Sequence, residues 1–95
     1  MKVDIEDDAL DDLEGIFAWI AQDDPNAAGS AIGRIFEQIE QLGRLPHLGH
    51  RGRARDTFEW VVTASTHVVV YCLDSRHDEL VVIGVFRGSQ QNRRS

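Results

Sequence analysis

The chain has 95 residues, 42% of them hydrophobic, and a formal net charge of −6. That length supports one domain around one core, and the apolar share is too high for a disordered chain. No apolar run reaches the roughly 18 residues that a membrane-spanning helix needs, and residues 1–8 lack the basic-then-apolar order of a signal peptide, so a cytoplasmic protein is expected.

The single cysteine, Cys72, has no internal disulfide partner and sits in the apolar run 67–73, as a buried, inert thiol of a reducing compartment would. Charge is unevenly spread: residues 1–43 carry eleven acids against two bases, and residues 44–95 carry eight bases against five acids. An acidic protein is a poor general nucleic-acid binder, because phosphate contacts must overcome its own repulsion. A local basic patch in the second half is compatible with that balance.

In chain order, residues 3–5 can form a first edge strand. From Leu10 the apolar positions Leu10, Leu13, Ile16, Phe17 and Ile20 form a helical stripe, with Asp7, Asp8 and Asp11 at the end where carboxylates favour the helix dipole. Asp24 and Pro25 read as the N-cap and first residue of a second helix. Its stripe is Ala28, Ile32, Ile35, Ile39 and Leu42, and Gly43 is placed to end it. So short a connection predicts an antiparallel helical hairpin. Gly15, Gly29 and Gly33 fall inside these helices, each about 1 kcal/mol less favourable than alanine. The shared face of Gly29 and Gly33 suggests close approach of another helix or of a partner.

Residues 45–56 read as a loop, since Pro46, Gly49 and Gly52 break any period. Three strands are expected at 57–63, 66–73 and 79–86, joined by hairpin connections. The second is apolar on both faces and belongs at the centre of the sheet. Tyr71 reads as a core tyrosine with a bonded hydroxyl, His67 and Trp60 as packing residues, His77 as exposed, and Glu59 as a solvent-facing strand carboxylate. The fold class is therefore α+β: a helical hairpin on a small, mainly antiparallel sheet in the order β-α-α-β-β-β. One domain is expected over 1–90, followed by a polar tail at 91–95.

Four stretches resemble the RelE/ParE toxin superfamily. The run from Leu10 to Ala21, with Leu13, Ile16 and Trp19-Ile20-Ala21, is similar to the family's "DL..I..YIA". Asp24-Pro25-Asn26-Ala27-Ala28 is similar to "NP.AA". Leu45-Pro46-His47-Leu48-Gly49-His50-Arg51-Gly52-Arg53 resembles "FP.LGR.GR". Glu59-Trp60-Val61-Val62, Val68-Val69-Val70-Tyr71 and Val85-Phe86-Arg87-Gly88 follow "RELVV", "YxVxY" and "VLHG". The likeness runs from about Ile5 to Gln90. Phe58 stands where the family usually has arginine, Arg87 where it often has histidine, and no aromatic residue follows Gly88.

The resemblance implies the toxin half of a type II toxin–antitoxin pair of the plasmid-stabilisation kind. It also implies a cognate antitoxin that wraps the toxin through an extended or helical segment, giving a hetero-oligomer. Members of the superfamily either cut mRNA on the ribosome or inhibit DNA gyrase without cutting. RNA cleavage needs a base for the 2′-hydroxyl, a cation for the phosphate and an acid for the leaving oxygen. The cations are present: Arg51, Arg53 and Arg55 alternate in a Gly-rich loop, and Arg87 ends the last strand. Such arginines grip phosphates or carboxylates through bidentate pairs, although exposed charges also serve solubility alone.

An acid–base pair is not legible in the sequence, so the four arginines read as target- or partner-binding groups. The expectation is a ParE-like blocker of gyrase. Its alternatives are a ribosome-dependent mRNA endoribonuclease and a member that binds antitoxin but poisons nothing. His47 and His50 form an isolated H-x-x-H without cysteine or carboxylate companions, a poor zinc signal. No metal, cofactor or membrane is expected.

Overall fold

The computed structural model describes residues 1–88, so the tail at 91–95 lies outside the described residues. Strand β1 (Lys2–Ile5) is followed by helices α1 (Asp7–Ala21) and α2 (Pro25–Arg44), then by β2 (His50–Arg51), β3 (Phe58–Val61), β4 (His67–Asp74) and β5 (Glu79–Arg87). The expected fold class holds, with β2 as an addition inside the segment read as loop. The five strands form one sheet in the order β1-β5-β4-β3-β2, with β4 at its centre as its two apolar faces require. All neighbours are antiparallel except β1 and β5, which run parallel through Lys2↔Glu79 to Ile5↔Val82.

Helix α2 starts as expected. The Asp24 carboxylate accepts from the amides of Asn26 (3.0 Å) and Ala27 (3.2 Å), satisfying two of the amides that a helix N-terminus leaves free. Helix α1 has no such side-chain cap, so Asp7 and Asp8 act there through the dipole alone. The expected terminator Gly43 instead lies within α2, buried, and no glycine has a positive φ. Its role is close approach: a Cβ there would come within 2.7 Å of Val3 Cγ2, and its carbonyl accepts from the Met1 ammonium at 2.8 Å. We expect Gly43→Ala to lower stability by about 1–3 kcal/mol, read as a shift in denaturation midpoint, because β1 must move off the helix.

The core joins Ala9, Leu13, Ile35, Ile39 and Leu42 of the hairpin to Val62, Val69, Tyr71, Leu80, Val82 and Val85 of the sheet. Leu10 and Phe17 were expected in it, yet they are 44% and 43% exposed. At about 100° per residue they lie roughly 60–90° around α1 from the line of Ala9, Leu13, Ile16 and Ile20. Trp60 is half-buried against the core rather than within it, its indole N–H donating to Gln38 Oε1 at 2.7 Å. Gly15, Gly29 and Gly33 have open space where a Cβ would stand, so the close helix–helix approach suggested for Gly29 and Gly33 does not occur within the chain.

Candidate functional site

Two surfaces carry the arginines singled out above, and the sheet holds them apart. Arg51 lies opposite Phe58, Phe58 opposite Tyr71, and Arg87 opposite His67. Three strand spacings across and four residues along put Arg51 and Arg87 about 20 Å apart. Arg51 ends β2 and Arg53 and Arg55 follow it in the loop to β3, all three exposed, and Arg87 belongs to the far end of the sheet.

The arginine loop is tied down by buried groups. The Tyr71 hydroxyl donates to the Pro46 carbonyl at 2.8 Å and accepts from the Gly49 amide at 3.0 Å. A Cβ at Gly49 would collide with that hydroxyl, so the glycine is needed where the backbone meets the ring. Burial pushes the Tyr71 phenol upward, against a smaller opposite effect of the Gly49 amide, so the hydroxyl stays protonated and able to donate. Farther along, the Gly52 amide donates to the Thr57 carbonyl at 2.8 Å, and the Thr57 hydroxyl donates to the Ala54 carbonyl at 2.6 Å.

Glu59 corrects its expectation as a solvent-facing carboxylate: it is 6% exposed. One of its oxygens accepts from the Arg53 amide at 3.5 Å, and the other lies 4.0 Å from His50 Nε2. The pairing of β2 with β3 puts His50 directly across from Glu59. The two-residue strand β2 is too short to show as a period, and this juxtaposition was hidden with it. Removing the anchoring hydroxyl in Tyr71→Phe leaves two backbone groups without their partner. We expect a loss of about 1–3 kcal/mol, with faster amide exchange confined to residues 46–56.

At the other end, Arg87 is half-buried and its guanidinium stacks on the Trp19 indole, 5.3 Å from the ring centroid. Trp19 is 58% exposed; in the sequence it stands only within the stretch that resembles the family motif, and nothing there signals its approach to Arg87. Together they border a groove of about 690 Å³ between α1 and the ends of β4 and β5, floored by Ile16, Ile20 and Val85. His67 lies in its wall and is buried, as its packing role predicted. Its imidazole shares a 2.8 Å hydrogen bond with the Ser65 hydroxyl.

Burial, and secondarily the Arg87 charge, lower the His67 pKa below 6.5. The folded state therefore favours the neutral imidazole. The stabilisation is present above the unfolded pKa and is lost as pH falls through about 6.5. Wild type should lose more stability than His67→Gln between pH 7.5 and 5, a difference measured by parallel denaturation curves.

Cys72 is half-buried rather than fully buried. Its thiol is pushed upward by burial, then by the charges of Glu6 and Asp74, which keeps it in the unreactive protonated form. His77 is exposed as expected, and its imidazole, 2.8 Å from Asp74, has a raised pKa. Among the described residues no group of three or more histidine, cysteine or carboxylate side chains is arranged to hold a metal ion. None of the described helices is long and apolar enough to cross a membrane.

Comparison with known proteins places this geometry. The family model described as ParE toxin of type II toxin–antitoxin system, parDE, matches residues 3–92. The Y4kP protein of Sinorhizobium fredii, itself classed as a candidate toxin, is 33% identical over 75 residues, 79% of this chain and 77% of that one. Among solved structures, the chromosomal ParDE system of P. aeruginosa superposes with a TM-score of 0.79 at 17% identity, covering 92% of this chain and 95% of that one. The intact E. coli RelBE toxin–antitoxin complex gives 0.69 at 12% identity, covering 90% and 94%. The YoeB/ParE toxin of Agrobacterium tumefaciens gives 0.64 at 22% identity, covering 92% and 98%.

Proposed function

Because the chain belongs to the ParE toxin family of type II toxin–antitoxin systems, we propose that it arrests growth by binding and blocking a protein target, DNA gyrase, and that a cognate antitoxin neutralises it. The observation that carries the blocking mode is the arginine loop: exposed cations on a segment anchored by Tyr71 and Glu59. A loop ordered before binding loses less entropy on docking, and arginine suits carboxylates on a partner surface. Arg51, Arg53 and Arg55 supply the target contact in this reading. The similarity to proteins solved as toxin–antitoxin complexes supports the antitoxin.

One observation favours the rival, a ribosome-dependent mRNA nuclease. The His50 and Glu59 pair beside the arginines is a candidate proton acceptor. At 4.0 Å it is an ion pair only when the imidazole is protonated, and RNA cleavage also requires a donor for the leaving oxygen. The arrangement fits binding better.

Controlled expression in a bacterial host tests the proposal. The chain alone should stop growth and relax DNA supercoiling with transcripts intact. The antitoxin is expected to be encoded in a short reading frame flanking this one, and co-expression of that frame's product should restore growth. Codon-specific mRNA cuts would select the nuclease, and unimpaired growth would select a member that binds antitoxin without poisoning the cell.

A further inference from the structure

Gly29 and Gly33 weaken α2 with no compensating contact inside the chain. Both stand in the helix interior one turn apart, each less favourable there than alanine, and both have open space where a Cβ would stand. Three large apolar side chains of the hairpin are exposed as well: Leu10, Phe17 and Phe36, at 44%, 43% and 40%.

The helix faces bring these five residues together. One flank of α1 turns to β5, where the Asp12 carboxylate accepts from the Val85 amide at 2.9 Å, so the flank carrying Leu10 and Phe17 turns to α2. One flank of α2 turns to β3 and the connection after it, where Gln38 accepts from the Trp60 indole and Arg34 donates to the Ala64 carbonyl at 3.4 Å. Phe36, Gly29 and Gly33 lie on the other flank, roughly 80–140° around from the line of Ala28, Ile35 and Ile39, and so turn to α1. Counted outward from the facing ends of the two helices, Phe17 and Gly29 are each four residues along, and Leu10 and Phe36 each eleven. They line a shallow crevice along the hairpin, with Phe17 at one end and Leu10 and Phe36 about 10 Å farther on. Its rim is acidic: Glu14 of α1 and Glu37 and Glu40 of α2 are exposed on this side, and the described ion pairs include none of them. Of the two bases in the helices, Arg34 is turned to Ala64 and Arg44 stands in the last turn of α2.

We infer that this crevice docks an amphipathic helix with lysine or arginine flanks, carried by a protein other than the neutralising partner. The helix lays its apolar stripe on Leu10, Phe17 and Phe36, as helices do in apolar grooves. Gly29 and Gly33 let its backbone come close, and its basic flanks meet the three rim glutamates. A second copy of this chain does not fit, because its glutamates would face these. RNA and an anionic membrane are repelled for the same reason. A segment built to answer the exposed arginines needs carboxylates, and those are repelled here too. The inference goes beyond the blocking of a target and does not depend on which target that is.

Fluorescence anisotropy of the full chain with a labelled synthetic peptide tests it. The peptide is a helix of about 18 residues, or five turns, with leucines on one face and lysines elsewhere. Wild type should bind it with a micromolar Kd and shift the Gly29 and Gly33 amide resonances. The same peptide with glutamates for its lysines should bind at least about 10-fold more weakly. Gly33→Gln should melt a few degrees higher, because glutamine is the better helix former and has room there. It should nevertheless raise Kd by about 10-fold or more, because its side chain holds the incoming backbone off. Phe36→Ala should raise Kd by a similar factor. A variant that melts higher and binds worse cannot owe its loss of binding to damage of the fold. Equal affinity of wild type and Gly33→Gln would mean that lysines adhere to an acidic surface without entering the crevice, and the inference fails. It fails too if no peptide binds at about 100 μM. Exclusion of the peptide by a dimer of this chain would give the crevice to a second copy, and displacement by the product of the flanking reading frame would give it to the neutralising partner; either result overturns the inference.

Discussion

Ile35→Ala is expected to cost about 2–5 kcal/mol, the transfer energy of the lost methyl and methylene groups plus the cavity they leave. Ile35 is 0% exposed and belongs to the cluster that joins the hairpin to the sheet. A domain of this size holds only about 5–15 kcal/mol in total. At about 4–8 °C per kcal/mol for a small domain, melting should fall by at least about 8 °C. Phe36→Ala, one residue along and 40% exposed, should change stability far less. A thermal scan of the two variants therefore reads which face of α2 meets the sheet. An Ile35→Ala protein melting within a degree or two of wild type would place the stripe in solvent and overturn the architecture.

The second large effect is expected at the arginine loop. Arg51 and Arg55 are exposed, and the loop's anchors are the Tyr71 hydroxyl, the Thr57 hydroxyl and the Glu59 carboxylate on backbone groups. The double substitution Arg51→Ala, Arg55→Ala should therefore leave the melting temperature almost unchanged. If each arginine makes one charge-assisted contact with the target, worth about 1.5–3 kcal/mol, the concentration needed for half-maximal inhibition should rise by about 100-fold or more. Lysine at both positions should recover only part, because an ammonium cannot supply the bidentate fork. Raising salt should weaken the wild-type protein as well. Equal inhibition by the double variant and wild type would remove the loop from the target contact.

The elements that repeat a pattern were legible in the sequence. The Asp24-Pro25 start of α2 followed from local chemistry. The central place of β4 followed from its two apolar faces, and the bonded hydroxyl of Tyr71 from its burial. What was not legible depends on contacts between distant segments. Gly43 sits where a helix-ending glycine would, and only the approach of Val3 reveals its different role. Leu10 and Phe17 satisfy a helical stripe, but they lie to one side of the line of α1 that packs into the core and are exposed. Glu59 alternates in a strand like a surface residue, and it is buried because the loop of residues 52–57 folds over it. The bond from Asp12 to Val85 spans 73 residues, a distance at which no local pattern operates. The candidate site was legible as four arginines and illegible as two separate surfaces, since their separation is a property of strand order.

The most direct test of the account is a gyrase supercoiling assay on the purified chain, run beside ribosomes programmed with mRNA. Inhibited supercoiling with intact mRNA, reversed by adding the product of the flanking reading frame, is the predicted result. Normal supercoiling together with mRNA cut on the ribosome would contradict it.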